Sequence, residues 1–301
     1  MGTNFFDDVV RMDLTMDSKS SATAGLLFSV LLWGVSFPVI KAALGEMDPF
    51  FFIFTRFGLA ALIVLVYLFV ARRSVRRLLD NRILWILGIT NAIGFAMEFF
   101  GMTLTTASKA SLLVNVNVVF MAIFSAVLLK ERISWRAKAG ILAGVAGVFL
   151  TTTGGDLSVL GTGSAVGDLI IFTGGIVWAY SNIYNKRAAT ELGLSAMDVT
   201  ESMTLTTTIT LVPLLLISPL SFHVSTFSVS ALLYTSVVCT FLGFFLFYKA
   251  LKTLTVVNAG IVMLFEIVVA IVTASIFLGE TIPPLGAVGG VLIGIGIVLV
   301  S

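Results

Sequence analysis

The chain has 301 residues, of which 11% are charged and 58% hydrophobic, with a net charge of +2 and a mean hydropathy of +1.09. A soluble domain carries about a quarter charged residues and about half apolar ones, so this chain cannot cover a water-facing surface with polar groups. A soluble catalytic domain is excluded, and no nucleic-acid partner is expected.

The first 21 residues, with Asp7, Asp8, Asp13 and Asp17 ahead of any apolar run, lack the positive start and short apolar core of a signal peptide. They read as a cytoplasmic tail. Apolar runs of roughly 18 to 23 residues then follow one another, each about the length of a bilayer-crossing helix. Ten are expected, at 22–44, 50–71, 83–104, 110–129, 136–153, 165–187, 199–217, 229–250, 258–278 and 284–301. The predicted class is an all-α membrane protein: a first five-helix repeat over 22–153, an external linker at 154–164 and a second repeat over 165–301. The linker, "TTTGGDLSVLGTGSAVGD" with its flanks, is rich in glycine, but its spacing fits neither a dinucleotide fingerprint nor a P-loop. The single cysteine, Cys239, rules out an internal disulfide.

Basic residues set the orientation. With the N-terminus on one side, that side receives fifteen of the eighteen Lys and Arg residues, the other side receives Lys41 and Lys109, and Arg56 lies within span 2. Loops rich in Lys and Arg stay in the cytoplasm, so both termini are expected inside a plasma (inner) membrane.

The chain also repeats itself. "LLWGVSFPVIKAAL" at 31–44 matches "IVWAYSNIYNKRAA" at 176–189, pairing Trp33 with Trp178, Ser36 with Ser181 and Lys41 with Lys186. A shift of 149 residues pairs Gly94 with Gly243, Thr106 with Thr255, Glu131 with Glu280, Gly140 with Gly289 and Gly147 with Gly296. Five spans per copy force the second copy to enter the membrane upside down, the arrangement of many secondary transporters.

With "LLWGVSFPVIKAAL…DPFFFIFTRFGLAAL", "TTASKASLLVNVNVVFMAIFSAVLLKERIS" and its echo "TVVNAGIVMLFEIVVAIVTASIFLGETI", the chain resembles the EamA-type members of the drug/metabolite transporter superfamily. The resemblance runs through all ten spans and implies two inverted five-helix repeats around a central cavity. It also implies export of metabolites such as amino acids. Members of that family usually carry proline directly after the position of Glu266, and often at the matching place in span 4. Ile267 and Val118 stand there instead, so a proline break is not expected in either helix.

Polar residues within the spans are the candidate site. Glu266 lies about 12 Å along span 9 at 1.5 Å per residue, where a carboxylate facing lipid is costly. It is expected to face a cavity and bind a substrate amine or a coupling proton, or else to hydrogen-bond a neighbouring helix as the neutral acid. Trp33, Phe37, Phe95, Trp178 and Tyr180 are candidate aromatic walls, and Asn91, Asn115 and Asn182 candidate polar contacts, with interhelical hydrogen bonding as the alternative. Asn115 and Asn117 are two apart on span 4, so at most one looks straight into a cavity. Arg56 and Glu98 share a depth and form a candidate gate or ion pair, with a purely structural bridge as the alternative. Lys41, Lys109 and Lys186 are expected to snorkel to the interfaces, and Glu280 to sit at a water boundary. The small-residue spacings Gly140-x-x-x-Gly144 and Gly286-x-x-x-Gly290-x-x-x-Gly294 suit close helix packing within one monomer, and a monomer or weak dimer is expected.

No metal or cofactor is expected, because His223 and Cys239 are the only residues of their kinds. The same scarcity, and the lack of paired mid-span aspartates, argue against an intramembrane enzyme. A channel-like pathway lacks a filter motif. A secondary transporter working by alternating access is the leading reading, moving an amino acid or related amphipathic metabolite outward.

Overall fold

The computed structural model describes residues 18–161, 164–218, 223, 225–282 and 284–300. The first seventeen residues of the expected tail therefore lie outside the described residues. In chain order the helices are α1 (Lys19–Ala43), α2 (Pro49–Val70), the short α3 (Val75–Leu79), α4 (Arg82–Thr103), α5 (Ala107–Asn115) and α6 (Asn117–Phe124). They continue with α7 (Trp135–Thr153), α8 (Ala165–Thr190), α9 (Ala196–Ile217), α10 (Thr226–Leu233), α11 (Gly243–Thr253), α12 (Val256–Met263), α13 (Phe265–Leu278) and α14 (Gly286–Val300). A π-helical turn at Ser125–Leu129 extends α6, and a longer one at Tyr234–Leu242 joins α10 to α11.

The helix starts follow from local chemistry. Ser18, Asp48, Asn81, Thr106, Ser134, Ser164, Ser195, Ser225 and Thr255 each accept a hydrogen bond from a first-turn N–H. Such caps satisfy donors that neither the helix nor lipid can take. Ser18 starts α1 at Lys19, so the first span begins three residues earlier than the apolar pattern predicts.

Among the described residues, eight helical segments are long and apolar enough to cross a bilayer, where the sequence pattern predicts ten. The fifth and tenth expected spans are the two that differ. In α7 the first turn carries Arg136 and Lys138 and the end is a run of threonines, while α14 has 15 residues, short of a full crossing.

Helices of one half pack mainly on helices of the other: α1 on α13 and α11, α4 on α8, and α7 on α14. The last pair meets glycine to glycine. A Cβ at Gly147 would stand 2.6 Å from Gly289 O, and one at Gly289 would stand 2.4 Å from Gly147 O. Gly140 and Gly296 face each other in the same way. The expected Gly140-x-x-x-Gly144 spacing is used, since a Cβ at Gly296 would stand 2.9 Å from Gly140 O and 3.6 Å from Gly144 N, and Gly147 extends the contact. On α14 the contact falls instead on Gly289 and Gly296, as Gly294 faces open space and Gly290 only Val268.

One ionic tie was not visible in the pattern of spans. Arg73, in the link after α2, pairs with Asp198 and, at 3.0 Å, with the fully buried Glu201 at the start of α9. Partial burial opposes the Arg73 charge, but the Glu201 and Asp198 carboxylates outweigh it and raise its pKa above the ordinary arginine value. The short stretch 71–81 is thereby fastened to the second half, helped by Ser202 Oγ donating to Leu78 O at 2.6 Å.

The glycine crossing yields a test. Gly289→Ala should lower stability by about 1–3 kcal/mol through overpacking, whereas Gly294→Ala, with no neighbour in reach, should change it by less than about 0.5 kcal/mol. Thermal unfolding of the purified protein in detergent checks both; equal effects would mean that the α7–α14 contact is not where packing is tight.

Candidate functional site

The helix breaks position the site. Span 4 is interrupted at Val116 and span 9 at Leu264, both with φ near −57° and ψ near −20°, where the chain tightens to i→i+3 bonds. The Val119 N–H donates to Val116 O at 3.1 Å, and the Ile267 N–H donates to Leu264 O at 3.2 Å. Neither break has a proline, as Val118 and Ile267 imply, yet both helices are interrupted there all the same. Each break starts a new half-helix, α6 with Asn117 and α13 with Glu266 in its first turn, so both polar side chains sit beside exposed helix N–H dipoles.

A cavity of about 60 Å³ lies between the halves. Trp33, Ser36, Phe37 and Ile40 of α1, Arg56 of α2, Phe95 and Glu98 of α4, and Asn117 of α6 form one side. Trp178 and Asn182 of α8, Phe244 and Phe247 of α11, and Met263 and Glu266 of span 9 form the other. Two carboxylates and one guanidinium thus share an aromatic chamber.

The aromatic walls are built reciprocally. Trp33 packs on Gly243, and a Cβ there would stand 2.7 Å from Trp33 Nε1; Trp178 packs on Gly94, with the corresponding distance 3.0 Å. Trp33 Nε1 donates to Cys239 O at 2.9 Å, a carbonyl that the π-helical turn presents. Trp178 stands edge-on to Phe95 at 4.7 Å between centroids. Asn117 Oδ1, buried on the cavity wall, has no hydrogen-bond partner among the described residues, while the Trp178 indole adjoins Glu98. Orphaned polar atoms are rare in folded interiors and mark places where a ligand or water completes the network.

Arg56 is 2% exposed, and its guanidinium lies 4.7 Å from the centre of the Phe95 ring while Nε donates to Thr240 Oγ1 at 2.9 Å. It reaches α4 and the π-helical turn at once. Glu98 faces the same chamber, and the two charges interact electrostatically, though Arg56 directs its hydrogen bond to Thr240.

Of the residues expected at the site, Trp33, Phe37, Arg56, Phe95, Glu98, Trp178, Asn182 and Glu266 are brought together around the cavity. Asn115 is buried one step back, donating to Ser111 O at 2.9 Å and adjoining Glu266, while Asn117 takes the place on the wall. Asn91 is held between α4 and α9 by bonds to Thr207 Oγ1 at 3.0 Å and Met203 Sδ. Tyr180 stands on the outer face of α8, edge-on to Phe124, tilted against Tyr184 and 37% exposed, and it does not line the chamber. On a helix, Tyr180 and Trp178 are two apart and cannot face the same way.

The lysines do not snorkel freely. Lys41 Nζ donates to Met102 O at 2.7 Å, and Lys186 Nζ donates to Leu251 O at 2.6 Å and Leu254 O at 2.8 Å. Lys109 is 5% exposed and pairs with Asp168 at 2.7 Å. Carbonyls at helix ends and a carboxylate offer these ammonium groups partners that the interface would otherwise have to supply. Among the described residues no three His, Cys, Asp or Glu side chains gather to hold a metal. Of the lining residues that sequence reasoning did not place at the site, Ile40, Val114, Phe244, Phe247 and Met263 carry no distinguishing signal in a chain full of such side chains, while Ser36 was marked only by its repeat partner Ser181.

The sequence matches the EamA-like transporter family twice, over residues 21–153 and 165–301. The chain belongs to the EamA-like transporter family. Among its relatives is an uncharacterized transporter of Archaeoglobus fulgidus, 30% identical over 95% of this chain and 98% of the relative. A protein of Salmonella typhimurium named a probable amino-acid metabolite efflux pump is 29% identical, over 90% of this chain and 91% of that one. A solved crystal structure superposes with a TM-score of 0.75 over 94% of this chain and 96% of the other at 19% identity, a likeness of fold alone. This EamA-family chain is thus a multi-pass membrane protein whose two family repeats face each other across the chamber.

The Arg56–Phe95 contact is testable on its own terms. Arg56→Lys keeps the charge but loses the planar stack and the Nε bond, and should lower stability by about 1–2 kcal/mol. Combined with Phe95→Ala, the losses should fall short of additive by about 0.5–2 kcal/mol in a double-mutant cycle. Strict additivity in detergent unfolding would show that the ring and the guanidinium do not act as a unit.

Proposed function

We propose that the chain is a secondary transporter that moves an amino acid or related amphipathic metabolite outward across the plasma membrane by alternating access. The observation that carries this reading is the chamber itself: charged groups of both signs, an unpartnered asparagine oxygen and aromatic walls, drawn from both family repeats. A zwitterion suits that set, with its carboxylate toward Arg56, its ammonium toward Glu266 and Glu98, and its side chain among the aromatic rings. A space of about 60 Å³ holds a few water molecules and no metabolite, so substrate enters when the halves move apart. The name of the Salmonella typhimurium relative points to the same substrate class and direction.

In this reading the ten predicted spans form two inverted five-helix repeats, α7 and α14 completing them. The reciprocal contacts support inversion: Trp33 on Gly243 and Trp178 on Gly94, Gly140 on Gly296 and Gly147 on Gly289. Each pair is what a pseudo-two-fold axis in the membrane plane generates from the repeat. Both termini lie in the cytoplasm, on the side that receives most of the basic residues. Glu266 binds the substrate amine or carries a coupling proton, and the unit is a monomer or weak dimer.

Two experiments test this reading. Glu266→Gln keeps size and hydrogen bonding but removes the charge; in proteoliposomes, amino-acid counterflow should fall at least about tenfold, a loss of about 1.4 kcal/mol, while the protein still inserts. Wild-type rate and pH dependence in this variant would leave Glu266 a packing residue. For orientation, a cysteine at the exposed Ser158 should react with an impermeant thiol reagent in intact cells and one at the exposed Ser74 should not. The opposite labelling would invert the topology.

A further inference from the structure

Glu131 and Glu280 stand at matching places 149 residues apart, each directly after a residue in the left-handed region, Lys130 with φ 55° and Gly279 with φ 68°. A lysine bears strain in that conformation that a glycine does not. The backbones there are alike: the Glu131 N–H donates to Ser125 O at 3.3 Å and the Glu280 N–H donates to Ala274 O at 3.4 Å. The side chains do different things. Glu280 reaches across to the start of α5, where it accepts from the Ala107 N–H at 3.0 Å, the Ser108 N–H at 3.2 Å and the Ser108 hydroxyl. These are first-turn donors with no partner inside their own helix, and a carboxylate there is favoured by both the hydrogen bonds and the helix dipole. The span-9 residues that match Ala107 and Ser108 are Val256 and Val257, which open α12. Glu131 leaves them and accepts from Ser125 Oγ instead. A cavity of about 170 Å³, lined by Glu131, Thr255, Val257 and Asn258, occupies the place where that cap would form.

Two further features follow the same pattern. Lys41 bonds the carbonyl end of α4 and interacts electrostatically with Glu280, while Lys186 bonds the carbonyl end of α11 and interacts with Glu131. Each end of the molecule therefore holds the same kit of lysine, glutamate, helix start and helix end. The asymmetry is in the extras. The Glu280 end is braced by the Lys109–Asp168 pair, where the residue matching Lys109 is Asn258, which donates to Val300 O at 3.2 Å. The residue matching Ser125 is Ala274, so Glu131 has a hydroxyl to retreat to and Glu280 has none.

We propose that Glu280 and Glu131 are two gate latches closed in turn. Glu280 on the start of α5 seals the external face in the conformation described here, and Glu131 leaves Ser125 for the start of α12 when the cytoplasmic face closes. Ser125 holds the cytoplasmic latch open. The proposal rests on the alternating-access reading, and it assigns the glutamates a role in gating rather than in substrate contact.

The test uses the full chain with Cys239→Ser and a reporter, Ile40→Cys, on the cavity wall. Labelling with an impermeant maleimide is timed from outside in intact cells and from inside in inverted vesicles. Glu280→Gln should raise the external rate about tenfold, the equivalent of about 1.4 kcal/mol, and slow the internal rate; Glu131→Gln should do the reverse. Ser125→Ala leaves both glutamates unsubstituted and, by removing the hydroxyl that Glu131 accepts from, should shift labelling in the direction of Glu280→Gln. Ser108→Ala, which removes one of the donors to Glu280, should do so more weakly and carries the test if Glu280→Gln fails to elute as a single species. Shifts in the same direction for Glu131→Gln and Glu280→Gln, or labelling from both faces that no variant alters, would overturn the latches and leave alternating access standing. Labelling confined to one face in every variant would remove alternating access, and the latches with it.

Discussion

Hydrocarbon cannot solvate a charge or an unpaired backbone group, and the rest of this structure depends on that constraint. Several ionisable side chains placed within the spans are drawn onto a partner from another helix, or onto the chamber. Lys41 and Lys186 take carbonyls at the ends of α4 and α11, Lys109 takes Asp168, and Arg56 takes Thr240 and the face of Phe95. Arg56, Glu98 and Glu266, with the unpartnered Asn117 Oδ1, lie around one small space between the repeats.

Duplication turns this constraint into an architecture. A contact made by one repeat on the other is made again in the opposite sense, so that each tryptophan of the matched pair seats on the glycine of the other half. The absence of a side chain at Gly94 and Gly243 lets an indole lie against backbone and face the chamber at the same time. The glycines of α7 and α14 do the same for main chain against main chain, where dispersion forces at close range replace the hydrophobic drive that lipid does not supply.

Breaks in spans 4 and 9 show how irregular backbone is tolerated at this depth. Val116 and Leu264 tighten the helix by one residue beside the cavity, where protein rather than lipid surrounds the freed groups. Proline is one way to enforce such a break; tertiary packing around an ordinary residue is another. The π-helical turn of Tyr234–Leu242 works similarly, offering the Cys239 carbonyl to Trp33 and the Thr240 hydroxyl to Arg56.

The sequence by itself determined the solvent, the helical class, the duplication, and the residues whose burial in lipid would be intolerable, because composition and spacing report transfer free energy directly. Glu266, Glu98 and Arg56 were legible for that reason, as were Trp33 and Trp178 through the repeat. Which face of each helix looks inward was decided only by tertiary structure. In a chain where lipid and protein interior are equally apolar, periodicity carries little signal, and Tyr180 and Trp178 could not be told apart until α8 was packed. The same holds for Asn117 over Asn115, separated by a break at Val116 that no local residue announces. Lys109 and Glu280 read as interfacial charges until their partners, Asp168 and the start of α5, arrived from distant parts of the chain. Partnership across sequence separations of 59 to 173 residues is set by helix packing, and no local pattern encodes it.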